Sequence, residues 1–170
     1  EITTFKEFSD RYFELRGELP TAIKNAYLFA EERHQGQKRL VTNQDYIIHP
    51  LTVAYYATAI ELDETSIIAA FLHDTVEDTN TKIDEIDRLF GTEVAYIVDC
   101  LTEVPDISDL AEFNEDLINS RRIVIQAAND IRVIKIKLYN KMHKLHTQTE
   151  NKKVKSAIKE VDFFFIKRTF

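Results

Sequence analysis

Four titratable groups fall within six residues at the end of an apolar run: His73, Asp74, Glu77 and Asp78 in FLHDTVEDT. An adjacent His and Asp offer one imidazole nitrogen and one carboxylate oxygen, a suitable ligand pair for a transition metal such as Mn²⁺, Fe²⁺ or Zn²⁺. Burying an ionised Asp in an apolar setting is costly unless something compensates the charge, and a cation would do so. On a continuous helix Glu77 lies four residues after His73 and three after Asp74, hence on the same face. Asp78 adds a further carboxylate at the helix end. Such a density of titratable groups behind an apolar run is a site signature. The plainer alternative is a helix that emerges into water at its C-terminal end.

Two further segments carry donors. His49 follows an apolar YII and precedes Pro50, which restricts its backbone. It reads either as a third ligand or as a capping or loop histidine. In IKIKLYNKMHKLHT, from Ile134 to Thr147, the positions Ile134, Ile136, Leu138, Met142 and Leu145 mark an inward stripe. Asn140, His143 and Thr147 recur at spacings of three and four, so they share a helix face. Alone they say little, and His143 reads equally well as a satisfied core histidine.

The elements that must position these residues are helical by periodicity. A helix is expected over 21–35, with Pro20 at its start and Ile23, Ala26, Tyr27, Ala30 and Glu31 near one stripe. A polar loop, QKRLVTNQD, follows Gly36. Pro50 is expected to open the next helix, leaving His49 at its N-terminal edge. Asp63 or Thr65 then caps a strongly apolar helix running from Ser66 to Asp78, which belongs in the core. Further helices are expected from Thr79 or Thr81 to Phe90, closed by Gly91, from 93 to 101, from 117 to 127 and from 130 to about 147. Pro105 breaks the pattern before an acidic segment, 106–116, read as a loop or solvated helix. The tail, 150–170, reads as a basic amphipathic helix. Its Ile158, Val161, Phe164, Phe165 and Ile166 either pack back on the domain or meet another subunit or a missing C-terminal domain.

Composition agrees with an all-α fold of about eight to nine helices in one domain spanning 1–170. The 170 residues are 44% hydrophobic and 30% charged, and three glycines with three prolines are too few for a turn-rich β architecture. Net charge is −7, so no general attraction to DNA, RNA or membranes is expected, and a small anionic substrate would need a local basic cluster or a metal. The lone Cys100 leaves no internal disulfide and fits a reducing, cytoplasmic setting. No apolar run approaches the roughly 20 residues that span a bilayer.

Taken in order, HQGQKR (34–39), YIIHP (46–50), FLHDTVEDT, LTEV (101–104) and IKLYNKMHKLHT resemble the hydrolase domain of the RelA/SpoT family, and in architecture its stand-alone small alarmone hydrolases. The resemblance covers about 22–147. It implies an all-α domain of the HD superfamily that removes the 3′-pyrophosphate of guanosine tetra- or pentaphosphate with Mn²⁺, within the stringent response. It further implies metal ligands at His49, His73, Asp74 and position 140. Glu77 and Asp78 match an acidic pair that orients and activates the attacking water. Arg39, whose guanidinium can stack on a base or pair with phosphate, and Thr147 match nucleotide-contacting positions.

The chain departs from that pattern at defined places. Asn140 stands where the family has Asp, so the donor set carries a formal charge of −1 from Asp74 alone, and affinity for a hard cation should fall. Leu40 replaces a family lysine, removing a phosphate contact. Lys144 replaces an asparagine and returns a positive charge to another part of the pocket. Asn140 therefore reads as a substitution made to trap substrate, as a tolerated natural ligand, or as the mark of a domain that binds nucleotide or partners without cleaving. The drift at Leu40 and Lys144 fits the two natural readings.

Overall fold

The computed structural model describes residues 1–103 and 130–148. Its regular elements are helices: α1 (Phe5–Arg16), α2 (Thr21–Arg33), α3 (Ile48–Ala59), α4 (Glu64–Leu72), α5 (Thr75–Asp78), α6 (Ile83–Phe90), α7 (Thr92–Glu103) and α8 (Ile131–Gln148). One isolated antiparallel bridge, Lys38 to Asp45, pins the loop between α2 and α3. The described residues thus show the expected all-α architecture. None of their helices is long and apolar enough to cross a membrane.

α4 is the axis of the bundle. Its residues from Ser66 to Leu72 are all buried, as an all-round apolar helix requires. Asp63 caps it, its Oδ1 accepting the Ser66 N–H at 2.8 Å. Helices α2, α3 and α7 pack around it, and α8 lies against α3, α7 and α4. Phe71, at its C-terminal end, meets the rings of Phe8 and Tyr27 edge-on at 5.1 and 5.9 Å, which docks α1 and α2. Arg132 in the first turn of α8 reaches Asp63 at 2.9 Å and Glu93 at 2.7 Å, joining the N-terminal ends of α4, α7 and α8.

The apolar helix does not run on to Asp78. It ends at Leu72, His73 and Asp74 form a turn, and α5 is a single turn. Side chains compete for carbonyls at the break: Thr75 Oγ1 donates to Leu72 O at 2.7 Å, and His73 Nδ1 lies 2.8 Å from Ala70 O. Asp74 sits at φ −94°, ψ −5°, in the sparsely used bridge region common at sites. α3 starts two residues before Pro50, which places His49 inside the first turn. α6 starts at Ile83, after the hydroxyls of Thr79 and Thr81 have bonded each other at 2.8 Å. Gly91, at φ 91°, closes α6 as expected, its N–H reaching Asp87 O.

The inward face of α8 also differs from the expected stripe. Ile134, Leu138 and Leu145 are 42, 41 and 42% exposed, while Val133, Ile136, Tyr139, Asn140, Met142, His143 and Thr147 are buried. Ile134, Ile136 and Leu138 alternate with a period of two, which cannot stay on one helical face. Tyr139 instead stacks on Tyr56 of α3, ring centroids 5.0 Å apart, and that turns the Asn140–His143–Thr147 face inward. The break at Pro105, the acidic segment, the helix over 117–127 and the tail lie outside the described residues.

Candidate metal centre and adjoining pocket

The first turn of α3, the break after α4 and the middle of α8 bring four donors to one point. His73 Nε2 lies 3.1 Å from Asp74 Oδ2 and 3.3 Å from His49 Nε2, and His49 Nε2 lies 3.4 Å from Asp74 Oδ2. Asn140 Oδ1 is 3.1 Å from His49 Nε2. All four residues are buried. Edges of this length match ligand shells with bonds of about 2.0–2.2 Å. All four residues expected as metal ligands therefore come together.

The donors' orientation also fits a cation. His73 Nδ1 faces the carbonyl of Ala70, which can only accept, so the proton sits on Nδ1 and the Nε2 lone pair faces the centre. His49 Nδ1 lies 2.6 Å from His143 Nδ1, the two rings nearly parallel at 7°, and His143 Nε2 lies 3.1 Å from Glu1 Oε1. A proton on each bridging position leaves His49 Nε2 bare as well. Burial holds His49 well below its ordinary value, so the imidazole is neutral, as a ligand must be. Burial alone would raise Asp74, and positive charge at the position of His73, then of His49 and Lys144, is what holds the carboxyl well below its usual range. With both imidazoles neutral, a cation between them would supply that charge beside Lys144. Lone pairs converging on one another in a buried site are what a divalent ion relieves.

Tyr46 links this centre to the acidic pair. Its hydroxyl stands 2.7 Å from Asp74 Oδ2 and 2.7 Å from Asp78 Oδ2, and its ring stacks on His34 at 4.7 Å. Burial, with Asp74 and Asp78 beside it, pushes the phenol far up, so the hydroxyl keeps its proton as a donor. Glu77 is exposed and lines a separate cleft with Arg33, Gln37 and Asp78. The helix break removes the common face on which it was expected to sit with His73 and Asp74. Burial first, and Asp74 second, raise the Glu77 carboxyl above its ordinary value.

Beside His49 and Tyr46 opens a cavity of about 380 Å³ whose wall includes Arg39, Lys144 and Thr147, the three residues expected to contact substrate. Arg39 donates to the Thr147 hydroxyl and lies 3.5 Å from Glu1 Oε1. Lys144 Nζ lies 3.6 Å from Asp74 Oδ1. Leu40 and Val41 supply an apolar rim, with Leu40 wholly exposed. A flat apolar edge beside clustered cations suits a nucleotide, base on one side and phosphate on the other.

A family model described as the HD domain matches residues 26–163. The chain belongs to the HD domain family. Among curated relatives, a "GTP pyrophosphokinase" of Myxococcus xanthus is 38% identical over 148 residues, 84% of this chain and 19% of the relative. A "Guanosine-3′,5′-bis(diphosphate) 3′-pyrophosphohydrolase" of Aquifex aeolicus is 42% identical over 125 residues, 74% of this chain and 17% of the relative. The chain thus spans under a fifth of the length of the curated relatives it matches. A solved structure, described as a metazoan ortholog of SpoT that hydrolyses ppGpp and plays a role in starvation responses, shares the fold. Its TM-score is 0.59 at 24% identity, over 89% of this chain and 84% of that one. The resemblance read from the motifs is therefore present across the HD domain.

Sequence reasoning missed the work of Tyr46, His143 and Glu1. Tyr46 lies in a loop, where no periodicity marks a residue as inward. His143 was on the right face, but only the 2.6 Å approach to His49 distinguishes an orienting partner from a core histidine.

Proposed function

We propose that this HD domain is a divalent-metal-dependent phosphohydrolase that removes the 3′-pyrophosphate of guanosine tetra- or pentaphosphate, converting ppGpp and water to GDP and pyrophosphate. The observation that carries the reading is the convergence of His49, His73, Asp74 and Asn140 beside a basic pocket of nucleotide size. The names of the relatives that act on guanosine polyphosphates support the substrate. Mn²⁺ is the proposed ion, since a mixed nitrogen and oxygen set suits it. A bound divalent cation supplies Lewis acidity, polarising a phosphoryl group and acidifying a water. Arg39 and Thr147 hold the nucleotide, and Asp78, oriented by Tyr46, takes the proton of the attacking water, with Glu77 beside it helping to orient that water. His143 and Glu1 fix the His49 tautomer. The setting we propose is the cytoplasm and the stringent response.

The test is incubation of the chain with ppGpp and Mn²⁺, reading release of pyrophosphate. Turnover is expected, rising on Asn140→Asp, which restores a second charged ligand. No turnover by either protein overturns the reading. Asn140 and the Lys144–Asp74 contact favour a second reading, a domain that binds the nucleotide without cleaving it. Calorimetric affinity for ppGpp with no pyrophosphate released, and no gain from Asn140→Asp, would select it.

A further inference from the structure

Lys144 joins two features that are otherwise separate. Its Nζ lies 3.6 Å from Asp74 Oδ1, on the one carboxylate among the four donors. Its side chain, 31% exposed, also lines the 380 Å³ cavity with Arg39 and Thr147. The donor set carries one negative charge, with imidazole and amide donors neutral, and the ammonium cancels it. A dication entering this group meets a donor set whose formal charge is already balanced, and a like charge on the far oxygen of its carboxylate ligand. An anion entering the cavity meets cations of unequal freedom. Lys38 is paired with Asp45 at 2.6 Å, and Arg39 is held by Thr147 and Glu1. Lys144 holds Asp74 only through a long contact, on a flexible four-carbon stem.

We infer that Lys144 couples cation and anion binding in this domain. With the cavity empty, it sits on Asp74 and weakens the cation site. When a phosphate-like oxyanion enters, the ammonium turns to it, Asp74 regains its full charge, and the cation binds more tightly. The coupling is reciprocal, so a bound cation tightens the anion by the same factor. The inference rests on the proposed cation site and adds to it a dependence on substrate.

Manganese affinity, read by paramagnetic resonance of the free ion, tests this without reference to activity. The proteins are the chain itself, Lys144→Met and Asn140→Asp, each in chloride and in sulfate at matched ionic strength, with folding verified by circular dichroism. In chloride, Lys144→Met should bind Mn²⁺ about tenfold more tightly than the unaltered chain. Sulfate should tighten Mn²⁺ binding to the unaltered chain by at least about fivefold, and have a much smaller effect on Lys144→Met. Asn140→Asp should bind more tightly in both salts and keep its response to sulfate. Equal sulfate responses, or a Lys144→Met affinity no higher than the unaltered chain's, overturn the coupling and leave the cation site standing. No Mn²⁺ binding by any of the three overturns both.

Discussion

Tyr46 offers one hydrogen to two carboxylates, Asp74 and Asp78, each 2.7 Å from its oxygen. One hydroxyl therefore holds the Asp74 and Asp78 carboxylates in register, the first the proposed ligand and the second the proposed base. Removing it leaves the buried Asp74 and the exposed Asp78 carboxylates in mutual repulsion with no shared donor. Tyr46→Phe should keep the fold, since the ring on His34 is unchanged, and should lower kcat for ppGpp by about tenfold to a hundredfold. Steady-state kinetics with KM little altered is the expected pattern, and an unchanged kcat would count against the bridge. At this scale the sequence was informative about residue type and poor about partnership. FLHDTVEDT declared its donors by crowding charge behind an apolar run. Nothing in a loop tyrosine declared that it would touch two of them.

At the scale of elements, the break between α4 and α5 does what a continuous helix cannot. Neighbouring residues on a helix point about 100° apart, yet His73 Nε2 and Asp74 Oδ2 meet at 3.1 Å. Propensity reads SIIAAFLHDTVED as one helix because no glycine or proline interrupts it. The interruption comes from Thr75 and His73 side chains bonding the backbone, an effect visible only once packing fixes their rotamers. The caps, by contrast, were legible: Asp63 and Gly91 both act where expected. Asp63→Ala removes the α4 cap and the contact to Arg132, and should destabilise the protein by about 1–2 kcal/mol. Urea unfolding reads this directly, and Asp63→Asn should recover most of the loss, since Asn also caps. A loss no smaller in Asp63→Asn would place the effect in the ion pair instead.

At the scale of the molecule, the bundle is built around neutral imidazoles. Burial lowers His34, His49 and His143 below the ordinary value of 6.5. As pH falls through 6.5 the unfolded chain takes up protons at these positions and the folded chain does not. Stability is therefore fully present above pH 6.5 and declines below it, by up to about 1.4 kcal/mol per pH unit for each histidine. Asp74, held below 3.8, adds a second loss as pH falls below that value. In a chelating buffer the urea midpoint should fall steadily between pH 6.5 and 5, and a flat profile would contradict the neutral core. Fold class was plain from periodicity and from the scarcity of glycine and proline. The rotation of α8 was not, because its isoleucines and leucines run in a two-residue alternation that its buried polar face overrides.

His49 and Asn140 lie 91 positions apart in the chain and 3.1 Å apart in space. A ribosome adding 5–20 residues per second takes roughly 5–20 seconds to cover that interval. Once Asp74 is made, and for the remaining 66 of those 91 positions, His49, His73 and Asp74 exist on a nascent chain with neither the fourth donor nor Lys144 yet made. Both arrive on α8, so the last of the four donors and the ammonium that faces Asp74 enter the centre together.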